Sequence, residues 1–301
     1  NNDQERIESV RSTIGFLLHG HKDKSFCPAI IVNDEVISDN PEGGTGKGLL
    51  IQGISEMKKN ILINGKEFSF DKSFAYQLVS ADTQVLTFDD VRKNFNFENL
   101  FSVITEGITL EKKNKDAIKI PYERSPKIVI TTNYAIKGKG SSFERRKWEL
   151  ELTRHYHSGF TPFDEFNKLL FDDWDENEWC RFDNYMINNI KYYMQKGFVK
   201  SKFKNLSTRK FIAETNHDFY EWVMDDDNNL IGYKLHKGDV YNSFVLEYPD
   251  YSRKLSRKMF IKWMKSYSQY ITGQEPEEGR DQHGRYMIID HKSDEQLEID
   301  I

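Results

Sequence analysis

The run Glu42, Gly43, Gly44, Thr45, Gly46, Lys47, Gly48 and Leu49 has the residue types needed to hold phosphate. Small residues permit a tight turn whose main-chain N–H groups point at anionic oxygens. Lys47 adds one ammonium at the start of an apolar run that reaches Met57. If that run is helical, its N-terminus adds a partial positive charge at the same place. The usual pattern for such a loop is G-x-x-x-x-G-K-[ST], whose last hydroxyl serves Mg²⁺. This chain departs from it twice, with Pro41 at the first glycine position and Gly48 at the hydroxyl position. Thr45 is a candidate substitute hydroxyl.

Three further stretches suit the same chemistry. Thr83 to Val91 reads as a short apolar strand ending in Asp89 and Asp90. Beside a phosphate loop, the first acid holds Mg²⁺ and the second polarises an attacking water; elsewhere the pair is only a solvated turn. Lys127 to Thr132 reads as a buried strand followed by Asn133, whose amide both donates and accepts and so suits a water or a γ-phosphate. Arg145 and Arg146 follow shortly after. A guanidinium there can neutralise transition-state charge on a neighbouring subunit's nucleotide, or simply pair with Glu144 or Glu149. Between the acid pair and Lys127, residues 105–127 read as a hairpin with a charged tip carrying Lys112, Lys113, Lys115 and, on the return arm, Lys119. That tip is either a solvated face or a contact for nucleic-acid phosphates.

The elements that must position these groups form an α/β rhythm over residues 29–155, with apolar strand-like runs alternating with helices and loops. Ala29 to Val32 supplies the strand before the glycine-rich loop. Residues 1–28 form a helical lead-in, with Ile7, Val10, Ile14, Leu17 and Leu18 on one face and Gly20 at its end. Residues 160–199 are aromatic-rich helices that close the domain by packing on its core.

Residues 200–208 read as a linker, after which local charge changes. Between residues 191 and 270 there are 15 Lys and Arg against 9 Asp and Glu, in a chain of net charge −5. Residues 209–224 predict one helix, Gly238 and Asp239 cap a second, and Ser256 caps a third with Met259, Phe260, Trp263, Met264 and Tyr267 on one side. Arg257, Lys258 and Lys262 lie largely off that side. A polar loop from Gly273 to Gly284 and a strand over 285–289 follow. This arrangement over 209–293 resembles a winged helix, whose last helix enters a DNA groove; a small helical domain with a solvated or protein-binding face is the alternative. Residues 294–301 form an acidic tail.

The order of glycine loop with lysine, strand with Asp-Asp, strand with Asn, then Arg-Arg resembles superfamily 3 helicases. The likeness is to the helicase part of phage, plasmid and poxvirus-type primase-helicases. The resemblance is firm over roughly residues 5–200 and looser beyond. It implies an AAA+-type P-loop ATPase domain over 29–199, assembled as a hexameric ring that moves on single-stranded or forked DNA. It implies ATP and Mg²⁺ as cofactors, with Lys47 on phosphate, Asp89 on the metal, Asp90 on water, Asn133 ending the third motif and Arg145 or Arg146 as the finger. The segment Lys112 to Lys119 falls where the family places its DNA-tracking hairpin. A primase domain upstream is implied as well. The competing functions are a replication initiator or scaffold that binds nucleotide and DNA but hydrolyses weakly, which Gly48 favours, and a non-motor signalling ATPase.

Composition bounds these readings. With 301 residues, 30% charged and 14% aromatic, the chain can bury one large core or two ordinary ones. Cys27 and Cys180 make neither a disulfide framework nor a zinc site and point to reduced cytoplasmic thiols. No secretory signal or membrane-length apolar run is present. The first residue, Asn1, suggests a piece of a longer polypeptide.

Overall fold

The computed structural model describes residues 3–35, 44–72, 74–114, 116–136, 138, 140–202, 205–228 and 230–290. Glu42 and Gly43 of the glycine-rich run, Pro41 before them, Lys115 of the hairpin tip and the acidic tail lie outside the described residues. The chain divides into two units, 1–205 and 206–301. Among the described residues no helix is long and apolar enough to cross a membrane.

The first unit runs α1 (Gln4–Leu18), β1 (Ala29–Asp34), α2 (Lys47–Met57), β2 (Asn60–Asn64), β3 (Val85–Asp89), α3 (Phe101–Thr105), β4 (Gly107–Leu110), β5 (Ile118–Pro121), β6 (Lys127–Thr132), α4 (Ser141–Glu144), β7 (Lys147–Leu152), α5 (Pro162–Phe166) and α6 (Glu176–Lys196). Five of these strands form one sheet in the order β2-β3-β6-β1-β7. Every pairing in it is parallel, with Ile31 opposite Ile130 and Glu149. A parallel sheet needs both faces covered, which is why β1 and β6 are buried along their whole length. On one face Ile30, Val32, Val129 and Leu150 pack with Ile14 and Leu17 of α1, Ile51 and Ile54 of α2 and Met186 of α6. On the other, Ile31, Leu86, Phe88 and Ile130 pack with Phe97, Leu100, Val103 and Phe143. Strands β4 and β5 make the expected hairpin, antiparallel with Ile108 opposite Ile120.

Helix α1 keeps the apolar face expected for residues 1–28 through Ile14, Leu17 and Leu18, which are buried, but Ile7 is exposed. Beside those residues the helix also buries Arg6, Ser9, Ser12 and Thr13. Partners far along the chain make this possible: Arg6 pairs with Glu35 at 2.6 Å and with Glu151 at 3.4 Å. The Ser12 hydroxyl accepts from the Val199 N–H at 3.1 Å, and Thr13 accepts from the Trp148 indole at 3.1 Å. Farther along, α1 crosses α6 so closely that a Cβ at Gly15 would lie 2.1 Å from the Asn189 carbonyl oxygen.

The second unit comprises α7 (Leu206–Glu214), α8 (His217–Met224), β8 (Lys234–His236), α9 (Lys237–Glu247), α10 (Tyr251–Lys254), α11 (Arg257–Thr272), β9 (Glu277–Asp281) and β10 (Gly284–Ile288). Residues 206–208 of the expected linker therefore open α7. The single helix expected over 209–224 is two helices, because the Asn216 side chain accepts from the Phe219 N–H at 2.7 Å and caps a new one. Ser256 caps α11 as expected, accepting from the Met259 N–H at 3.2 Å. The loop assigned to 273–284 contains β9. Its sequence, EEGRD, shows no apolar alternation, and it forms as the outer strand of an antiparallel sheet ordered β8-β10-β9. Phe219, Trp222, Phe244, Phe260 and Met264 form the buried centre of this unit.

Candidate functional site

All five parallel strands end on the same edge, and three of them carry the polar tips. Asp34 ends β1, Asp89 ends β3, and Asn133 follows β6, which lies between those two strands. In open parallel sheets this carboxyl edge is where ligands bind. Helix α2 begins there with Lys47. Its N-cap is Gly46, in the left-handed region with φ +95°, and its first turn carries no acid. The first-turn N–H groups of a helix have no intrahelical partner, so with a glycine cap they stay open to an anion. By contrast α1, α6 and α11 are capped by the side chains of Asp3, Asp175 and Ser256.

The Lys47 ammonium donates to Asp34 Oδ2 and to Asn133 Oδ1, while the Thr45 hydroxyl donates to Asp34 Oδ1. Three groups named from sequence, Thr45, Lys47 and Asn133, are thus brought together by Asp34, which sequence reading missed. The signal was present: an acid closes the strand that feeds the glycine-rich loop, 13 residues before Lys47. The apolar pattern ends the strand at Val32, two residues short of the end of β1. Gly44, Gly46, Gly48 and Leu49 lie beside this cluster in the turn and first helical residues.

On the neighbouring strand, Thr131 was also missed. Its hydroxyl donates to Asp89 Oδ1 at 2.6 Å and accepts from the Asp90 N–H at 2.7 Å. Asp89 is therefore held in one orientation while remaining exposed. Asp90 turns away with φ +53° and pairs with Lys66 at 2.5 Å. That hydrogen bond, and then the Asp90 charge, raise the Lys66 pKa above its ordinary value.

The cluster offers an ammonium and open N–H groups to an anion, and carboxylates to a cation. Among the described residues no group of three or more His, Cys, Asp and Glu is placed to hold a metal alone. Asp89 fits Mg²⁺ in the other common manner, as one of one or two carboxylates that share the ion with a ligand's phosphates and water.

Arg145 and Arg146 stand at the opposite edge. The Ala29 N–H that opens β1 donates to the Arg146 carbonyl at 2.9 Å, and β7 starts one residue later. A strand rising about 3.3 Å per residue puts them on the order of 20 Å from the end of β1. The structure therefore does not bring them to Lys47 of the same chain. Arg146 lies 4.6 Å over the Phe101 ring and donates to Ser142 O at 2.8 Å. Arg145 is exposed and donates to the Ser142 hydroxyl at 3.2 Å. With Lys24 and Lys119 both line a cavity of about 810 Å³.

Of the residues assigned to DNA, Lys113 and Lys119 are exposed on the hairpin and Lys112 is half-buried. On α11, Lys258 and Lys262 are exposed, and Arg257 lies 5.4 Å over the Tyr241 ring. Lys265 on the same helix is drawn to Glu278 of β9, at 3.2 Å.

Residues 40–146 match a family described only as a family of unknown function, DUF5906. No curated protein matches the chain. Among solved structures, an apo form of the C-terminal region of NrS-1 is 14% identical, with 96% of this chain and 74% of that one covered, at a TM-score of 0.40. A second structure of that region, residues 305–718, is 16% identical over 92% and 70%, at a TM-score of 0.37. Likeness at that level has no bearing on function.

Proposed function

We propose that the chain is an ATP-dependent DNA helicase of superfamily 3, hydrolysing ATP between the subunits of a ring. The observation that carries the nucleotide part is the cluster of Lys47, Asp34, Thr45 and Asn133 at the open N-terminus of α2, beside Asp89. Lys47 and the N–H groups of Gly48 and Leu49 bind the phosphates. Bound there, ATP with Mg²⁺ supplies the leaving group and neutralises its charge. Asp89, oriented by Thr131, takes the metal side. Asp90 accepts the proton of the attacking water once it leaves Lys66, and Asn133 holds that water in line. Arg145 or Arg146 of the next subunit completes the site, a role that suits their distance from Lys47 of their own chain.

Two features support a motor on DNA over a plain hydrolase. The hairpin β4–β5 exposes Lys113 and Lys119. The second unit has the order helix, short strand, helices and hairpin, with β8 paired to β10, and that is the connectivity a winged-helix reading asks for. The AAA+ assignment for the first unit rests on the four motifs and on β6 standing between the lysine strand and the acid strand.

Lys47→Ala tests the reading. ATP hydrolysis stimulated by single-stranded DNA should be lost, and unchanged hydrolysis overturns the nucleotide site. Unwinding of a forked duplex, measured together with particle size, tests the ring. A second reading, a nucleotide- and DNA-binding initiator with weak hydrolysis, is favoured by one observation: Gly48 leaves the loop without its hydroxyl while Asp34 occupies Lys47. DNA binding without DNA-stimulated turnover in the unaltered protein would select it.

A further inference from the structure

Asp34 is only 4% exposed, and both of its carboxylate oxygens are engaged, one by Lys47 and one by Thr45. A buried carboxylate is tolerated because a cation and hydrogen bonds compensate it; removing the cation leaves a costly charge. If the nucleotide reading holds, phosphate must draw Lys47 away from Asp34. The carboxylate cannot follow, since it is fixed at the end of β1. It then needs another cation at the moment phosphate arrives.

The same loop lacks a metal ligand. Gly48 stands where the hydroxyl facing Mg²⁺ belongs, and among the described residues a Cβ built there would meet nothing within 4 Å. Thr45 does not fill it in this state, because its hydroxyl is spent on Asp34. One carboxylate about to lose its counter-ion and one missing oxygen ligand thus sit beside the same lysine. Asp34 and Asp89 end strands on either side of β6 at one edge, their backbones about 10 Å apart by the usual strand spacing, a gap that two side chains, one ion and its water can bridge.

We infer that Asp34 replaces the missing hydroxyl as the loop-side ligand of Mg²⁺, and that the same carboxylate holds Lys47 until phosphate and metal enter together. The inference rests on the nucleotide reading above and names how that site takes its metal. The donor set suits a hard cation, since all its atoms are oxygens. The exchange also links the two ligands. Nucleotide without metal must break the Lys47–Asp34 pair with nothing to replace it, so metal-free nucleotide should bind poorly.

Binding of ADP measured by calorimetry, in EDTA and in Mg²⁺, tests this without turnover. In the unaltered protein Mg²⁺ should tighten ADP at least tenfold. In Asp34→Asn the metal-free affinity should stay equal or improve, because Lys47 is released, while the gain from Mg²⁺ should fall below threefold. Retention of the full gain in Asp34→Asn overturns the inference, leaving Asp34 as a holder of Lys47 only. Asp34→Cys gives an independent check: Cd²⁺, which prefers thiolate, should restore the gain that Mg²⁺ no longer gives, and no Cd²⁺ effect beyond that in the unaltered protein counts against Asp34 as a ligand. Should the unaltered protein bind no ADP in either condition, the nucleotide reading itself fails, an outcome separate from a metal gain that survives Asp34→Asn.

Discussion

The two edges of the five-stranded sheet hold lysines differently, half-buried Lys47 at one and buried Lys127 at the other. At the carboxyl edge Lys47 meets a carboxylate and a side-chain amide. At the amino edge Lys127, 4% exposed, donates to the main-chain carbonyls of Phe16 and His19 at the end of α1 and lies 4.2 Å over the Phe16 ring. Lys22 nearby donates to the Ser125 hydroxyl at 2.7 Å and lies 4.4 Å over the Tyr122 ring. An incoming anion can draw an ammonium away from side-chain partners at the strand ends, but it cannot replace main-chain carbonyls that enclose a buried one. The comparison teaches that burial of a cation does not mark a site; the replaceability of its partners does. His19 shares this edge: burial first and then the Lys127 charge hold its pKa down at about 4.

The sharpest way to break the contrast is through Arg145 and Arg146, which sit at the structural edge yet are assigned a chemical role. Arg145→Ala should cut DNA-stimulated hydrolysis by about 10³-fold if it acts across a subunit boundary, with the melting temperature unchanged, since Arg145 is exposed. Arg146→Ala should also lower the melting temperature, because Arg146 packs on Phe101. If neither variant slows hydrolysis, the amino edge is structural throughout.

Gly15→Ala loosens the scaffold from the α1 side. Its Cβ would need to displace the Asn189 carbonyl of α6, a rigid neighbour, and the cost should be roughly 3 kcal/mol in denaturant unfolding. At temperatures where the variant stays folded, nucleotide affinity should not change. A loss of affinity would mean that α1 shapes the carboxyl edge as well.

Thr131→Val probes the carboxyl edge alone. Removing the hydroxyl frees Asp89 and leaves the Asp90 N–H without its acceptor. Metal-dependent hydrolysis should fall 10- to 100-fold by roughly the usual effect of losing a group that orients a metal ligand. An unchanged rate would remove Asp89 from the metal side.

These residues also show what sequence could reveal. Lys47, Asp89 and Asn133 were legible because each ends or begins an apolar run, and such boundaries survive folding. Thr131 was not, since a threonine inside a strand reads as ordinary strand propensity whether or not its hydroxyl holds an acid. Asp34 was hidden by a polar Asn33 before it, which made β1 look shorter than it is. The polar part of the buried face of α1 is hidden for a different reason. Arg6 is buried by partners about 29 and 145 residues away, and no helical periodicity encodes them. Strand β9 escaped because only its pairing with β10, not its composition, makes it a strand.

The smallest expected effect concerns Lys127 and settles whether its partners fasten a charge or a neutral amine. Burial pulls its pKa from 10.5 to about 7. Between those values the unfolded chain keeps the proton and the folded chain does not, so stability rises with pH through this window and is lost as pH falls through about 7. The cleanest interval is pH 7.5 to 8.5, below the ordinary range of Cys27, whose raised pKa acts in the opposite direction at higher pH. Across that unit Lys127 should contribute a rise of up to about 1.4 kcal/mol in unfolding free energy. Lys127→Met keeps the apolar stem and removes the titration. Its unfolding free energy should therefore be flatter over the same interval, whatever its absolute value. Parallel curves for the two proteins would mean that Lys127 stays charged in the fold, held by the Phe16 and His19 carbonyls strongly enough to outweigh its burial.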